Sequence, residues 1–191
     1  MKPMNRKFVI LVLAVLFLAG GFFYWWNNQA DVRGLNKTLP DGVRVTKSFF
    51  GSEYKVVNKI DGYSFKVPPE WKGVKEIEYV PERTEQGYTG TSISVEGSEG
   101  IKRDRVFTID KFKIKEQNID LLQWVKDNFK VFELVGEFTQ ESIGGFEIVK
   151  TRENIHLLGM YIYHFQRNFA AYSITGGSEE FIRYIIANGK W

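Results

Sequence analysis

The chain has 191 residues, with 26 Lys and Arg against 23 Asp and Glu, and no cysteine. Without cysteine there is no disulfide, no thiol chemistry and no lipid attachment through a cysteine, so the apolar core has to hold the fold. Lys2, Arg6 and Lys7 account for the whole net charge of +3, which leaves the remainder neutral and argues against nucleic-acid binding through a concentrated basic face.

Residues 8–26 carry no charge and no strongly polar side chain. As a helix they would span about 28 Å at ~1.5 Å per residue, close to the ~30 Å hydrocarbon core of a bilayer. A cleaved secretory signal begins with the same basic residues, but its apolar region is shorter and ends at a small-x-small site. Cleavage after Gly21 would leave Phe22, Phe23, Tyr24, Trp25 and Trp26 exposed to water, and cleavage after Ala30 has Asn28 where a small residue belongs. The aromatic run fits an interfacial belt at headgroup depth. An uncleaved signal anchor is therefore expected over a cleaved signal or a buried core helix. The basic residues 1–7 would lie in the cytoplasm and the domain outside it.

Residues 27–42 are polar with Gly34, Pro40 and Gly42, and read as a linker. The domain expected over 43–191 opens with alternating residues 43–49 and 54–59, a hairpin signature. In residues 62–71, Tyr63, Phe65 and Val67 share one strand face, and Pro68 and Pro69 end the ladder so that Trp71 folds back over the sheet. Residues 74–80 and 91–96 supply two further strands. The segment 97–117 concentrates Lys102, Arg103, Arg105, Lys111, Lys113 and Lys115, and its alternation suggests a solvated edge strand on which lysines discourage aggregation. Asn118 is expected to cap a helix carrying Leu121, Leu122, Val125 and Phe129 on one stripe. Residues 135–142 and 146–153 read as one hairpin, and 158–165 and 169–175 as another. Ser178 then caps a closing helix with Glu179 and Glu180 in its first turn and Phe181, Ile182, Ile185 and Ile186 buried. The order implies an α+β fold, an antiparallel sheet sandwiched by amphipathic helices and preceded by a transmembrane helix.

Residues 62–71, Gly-Tyr-Ser-Phe-Lys-Val-Pro-Pro-Glu-Trp, resemble the opening strand of PsbP-like domains, and residues 161–186 are similar to that family's closing hairpin and helix. The resemblance covers about residues 60–191 and implies an antiparallel sheet between helices, in modules that act as accessory or binding domains more than as enzymes. The same fold serves a Ran-binding nuclear-import factor and exported envelope lipoproteins. This chain lacks the lipoproteins' lipidated cysteine and any metal or chloride motif to carry over from the photosystem II subunit.

Motifs for chemistry are sparse. His156 and His164 stand eight residues apart without cysteine partners, a weak basis for a metal site. No Gly-x-Ser-x-Gly elbow and no phosphate-cradling glycine loop occurs. Glu141 and Glu147 flank the Gly144-Gly145 turn and read as solvated hairpin charges rather than an acid–base pair. No cofactor, metal or catalytic residue is expected. Lys111, Lys113 and Lys115 are candidate contacts for anionic headgroups or envelope polymers. Most of Tyr63, Phe65, Trp71, Tyr161, Tyr163, Phe165 and Tyr172 should be core, with a minority able to line a groove. The expected function is a membrane-anchored, non-catalytic module for a protein partner or envelope component. The alternative is a small-ligand binder or enzyme using an aromatic groove.

Overall fold

A computed structural model describes residues 6–49, 53–83, 88–97, 105–129, 138–152, 160–176 and 178–191. Helix α1 covers Arg6–Asn28 and buries none of its residues against the rest of the chain. After one non-helical residue, Gln29, helix α2 runs Ala30–Asn36. The stretch expected as a linker thus carries a helix that joins the core: Val32 is buried, and Leu35 and Leu39 pack against the same cluster. Val32 and Leu35, at i and i+3, put one apolar stripe on a helix of otherwise polar composition, and Leu39 follows just past its end.

Strands β1 (Val43–Lys47), β2 (Tyr54–Asn58) and β3 (Tyr63–Lys66) form a three-stranded antiparallel sheet in the order β1-β2-β3. Tyr63, Phe65 and Val67 are buried on one face, as the alternation requires, and Trp71 folds back with its ring edge-on to Phe181 at 5.5 Å. The remaining strands are β4 (Gly73–Arg83), β5 (Tyr88–Glu96), β6 (Arg105–Lys113), β7 (Thr139–Ile143), β8 (Phe146–Arg152), β9 (Tyr161–Arg167) and β10 (Ala170–Gly176). They make a seven-stranded antiparallel sheet in the order β4-β5-β6-β10-β9-β8-β7. Helices α3 (Leu121–Asn128) and α4 (Glu179–Asn188) complete the fold.

The architecture is α+β, but with two antiparallel sheets in place of the single one expected. One face of the seven-stranded sheet carries Phe107, Ile109, Ile148, Phe165, Tyr172 and Ile174, in one cluster with β3 and with Phe181, Ile182, Ile185 and Ile186 of α4. The other face meets α3, where Leu121 and Val125 bury against Val149 of β8.

Two local expectations change. Strand β6 is central, hydrogen-bonded to β5 on one side and β10 on the other, rather than an edge. A lysine is tolerated on this central strand because Lys111 finds an acceptor above the sheet, the carbonyl of Asp61. Asn118 adopts a left-handed φ of 60° and does not cap α3; Asp120 does, accepting from Gln123 N at 3.0 Å. A capping residue needs extended backbone, which Asp120 has. Ser178 caps α4 as its position suggests, accepting from Phe181 N at 3.2 Å.

Candidate functional site

Helix α1 is long and apolar enough to cross a membrane, and none of its apolar window is buried in the fold. Phe22, Trp25 and Trp26 gather near its C-terminal end with ring centroids 5.9–6.4 Å apart, beside Phe23 and Tyr24, and most of these rings are exposed. The Arg33 guanidinium sits 3.9 Å from the Trp26 ring centroid and donates to Trp26 O at 2.6 Å.

Beyond the C-terminal end of α1, amide side chains join the helix to the first sheet. Asn36 Nδ2 donates to Val45 O at 2.8 Å while its Oδ1 accepts from Val45 N at 2.7 Å, so one side chain pairs with the outer edge of β1 as a neighbouring strand would. Gln29 Nε2 donates to Lys47 O at 3.0 Å, and Asn28 Nδ2 to Ser48 O at 3.3 Å. Asp31 accepts from the Tyr54 hydroxyl and pairs with Lys47 at 3.2 Å. Partial burial opposes ionisation of Asp31, but these partners hold its carboxyl below the usual range. The sequence signal for this joint is the run of amides at 27–29 and 36, which polar composition alone disguises as linker.

The candidate lysines do not form one exposed array. Lys111 is half-buried and donates to Asp61 O at 2.6 Å, while Lys113 and Lys115 are exposed at and beyond the end of β6. Asp61 is itself buried, its carboxylate accepting from Asn58 Nδ2 at 2.7 Å and Thr89 Oγ1 at 2.6 Å, and its carbonyl also accepting from Tyr172 OH at 3.1 Å. This cluster fastens the turn before β3 onto β5, β6 and β10.

His156 lies outside the described residues. His164 is fully buried, its Nδ1 2.8 Å from Ser173 Oγ and its Nε2 3.3 Å from Thr151 Oγ1. Asp110 stands opposite Ser173 on the far side, so Asp110, Ser173 and His164 form one cross-strand row on the face toward α3. Burial pushes the Asp110 carboxyl up to about 6 and the His164 imidazole down to about 3. Serine, not histidine, occupies the middle of the row, so the aspartate does not orient the imidazole as a catalytic triad requires. Glu141 and Glu147 are separated: Glu141 is opposite Ile148 and pairs with Arg183 of α4 at 2.6 Å, whereas Glu147 is opposite Ser142 on the other face. Among the described residues no three histidine or carboxylate side chains converge as metal ligands.

An open groove of about 910 Å³ lies at the end of the seven-stranded sheet that carries the β7–β8 and β9–β10 turns. Its rim includes Asn118, Glu147, Arg167, Asn168 and Lys190, with Trp191 in its wall. Gln166 ties the rim together, accepting from Ile119 N at 3.2 Å and donating to Asn168 O at 3.2 Å. Trp191 is held by Phe165, Tyr172 and Tyr63 at centroid distances of 4.8–5.4 Å. Gly144 has a φ of +60°, and a Cβ there would lie 2.6 Å from the Ala187 Cα, so the turn presses directly on α4. Sequence reading missed the groove because its walls come from four separate segments. Most of the aromatic set is core, as expected: Tyr63, Phe65, Trp71, Tyr163, Phe165 and Tyr172 are each at most 5% exposed, and only Tyr161 is half-buried.

The groove and α1 occupy opposite ends. Asn28 and Gln29 contact the Lys47–Ser48 end of β1, which pairs with Tyr54, and the Tyr54 ring packs on Gly73 where β4 meets the end of β5. Asn58, at the other end of β2, donates to Asp61, whose carbonyl accepts from Lys111 and Tyr172, toward the β9–β10 turn that borders the groove. Comparison of the chain with protein-family models, with curated proteins and with solved structures finds no match.

Proposed function

We propose that this chain is a single-pass, membrane-anchored, non-catalytic binding module. Helix α1 stays uncleaved in the cytoplasmic membrane with its basic N-terminus inside, and the domain outside offers the distal groove to a protein partner or envelope component. The observation that carries this reading is the amide joint, which couples an unburied apolar helix to the sheet edge and leaves the polar groove at the far end. Cleavage after Ala30 would remove two of the joint's side chains, and cleavage after Gly21 would leave the aromatic belt in water. The PsbP-like relationship belongs to this proposal, resting on residues 62–71 and 161–186. Lys113 and Lys115 lie toward the groove end of β6, so their anionic counterpart is a partner or envelope polymer rather than the bilayer holding α1. The competing reading, a ligand site lined by the aromatic set, loses support because all of those rings but Tyr161 are core.

Photo-crosslinking in native membranes tests the proposal. A photoreactive residue at Asn168 or Glu147 is expected to capture a discrete partner, and one at the exposed Arg105, at the opposite end of β6 from the groove, is not. Recovery of bulk lipid alone from the groove positions would count against a binding role.

A further inference from the structure

We infer that Phe49, just past the end of β1, is a second membrane contact, seated in the headgroup layer of the bilayer that α1 enters; this rests on the anchor reading above. Ser48 N donates to Glu53 O at 2.9 Å, which continues the β1–β2 pairing up to Phe49. Asn28 Nδ2 lies 3.3 Å from Ser48 O and 3.5 Å from Phe49 O, so Phe49 is held level with the last residue of α1, two positions beyond the aromatic belt. At that level the Phe49 side chain is 44% exposed, and Arg33 caps Trp26. An exposed aromatic ring at the level where the aromatic belt ends suits the boundary between acyl chains and headgroups, where apolar bodies bury and cationic heads stay wet. Elsewhere on the domain, Phe169 is 56% exposed at the β9–β10 turn, beside the groove and away from α1. Apolar exposure is therefore common to both ends, and of these two rings Phe49 is the one placed to reach lipid. Two separated contacts would fix the domain's attitude on the membrane, which one helix alone leaves free to rotate about its axis.

The absence of cysteine makes a direct test possible. Leu16→Cys, Phe49→Cys and Phe169→Cys, each spin-labelled in the full chain and reconstituted into phosphatidylcholine–phosphatidylglycerol vesicles, report depth through collision with oxygen against a water-soluble nickel chelate. The oxygen-to-nickel accessibility ratio should be highest at Leu16 and several-fold higher at Phe49 than at Phe169. A label at Glu53→Cys, which faces Ser48, repeats the reading with the phenylalanine in place, and should also exceed Phe169. If Phe49 and Glu53 are as open to nickel as Phe169 while Leu16 is protected, the second contact is refuted and the anchor stands. If Leu16 is itself open to nickel, the anchor reading fails and this inference falls with it.

Discussion

The two faces of the seven-stranded sheet solve burial differently. Toward β3 and α4 the interior is aromatic and aliphatic, with rings of Phe65, Phe107 and Phe181 in a chain of contacts at 4.7–5.9 Å, and the nearby polar atoms of Asp61 are all paired. Toward α3 the same strands present Asp110, Ser173, His164 and Thr151, covered by an eight-residue helix and the Phe129 ring, 4.7 Å from the imidazole. A buried ionisable group opposes stability unless it is paired or stays neutral, so the first face, with its larger apolar cluster, rests on packing, and the Asp110 and His164 row of the second makes stability respond to pH.

The sharpest way to break this contrast is to truncate each face. Phe181→Ala removes a ring wedged between Trp71 and Phe107 and should cost about 3–5 kcal/mol in urea unfolding of the detergent-solubilised chain. Val125→Ala beneath α3 should cost about 2 kcal/mol. Equal losses would remove the distinction between the faces.

A pH series sharpens it further. His164 is neutral in the fold, with its pKa near 3 against an ordinary 6.5, so below pH 6.5 the unfolded chain binds a proton that the folded one refuses. Stability from this group falls toward acid, by about 1.4 kcal/mol per pH unit. Asp110 has the opposite sign: its pKa near 6 against an ordinary 3.8 means that between those values the folded chain binds the extra proton, and stability rises toward acid. The two slopes offset each other between pH 6 and 3.8. Asp110→Asn should expose the histidine's slope, and His164→Gln the aspartate's, each measured as unfolding free energy against pH. Profiles parallel to that of the parent chain in both variants would show that the row does not titrate in the way its burial implies.

The smallest effect should come from a residue off both faces. Asn36→Ala leaves Val45 N–H and C=O without their side-chain partner and should cost about 1–2 kcal/mol, with no change in the pH profile. A loss below ~0.3 kcal/mol would mean that water replaces the amide freely.

Much of this fold is legible in the sequence because its signals are local. The alternation at Tyr63, Phe65 and Val67, the Ser178 cap and the apolar stripe of α4 each declare themselves within ten residues. Sheet order does not, because β6 pairs with β10 about sixty residues away and nothing in Lys111-Phe112-Lys113 distinguishes a central strand whose lysine has an inward acceptor from an edge. Helix α2 is hidden because Val32, Leu35 and Leu39 are outnumbered by polar neighbours. Asp120 and Asn118 compete for the cap of α3 because either residue type can serve, and only the backbone angles decide. The cross-strand meeting of His164 and Ser173 can be found by counting outward from the β9–β10 turn, which fixes the register. The groove offers no such count, since Asn118, Gly144, Asn168 and Trp191 meet only in three dimensions.

The single non-helical residue between α1 and α2 has a mechanical consequence. A transmembrane helix answers a thicker or thinner bilayer by changing its tilt. In the anchoring proposed for α1, the fastening to β1 begins at Asn28 and Gln29, directly after the apolar run, so little chain is available to absorb that rotation. A change in tilt would swing the domain as a lever, and the displacement would be largest at its far end. Lipid composition would then set the height and direction at which Trp191 and its neighbours are presented.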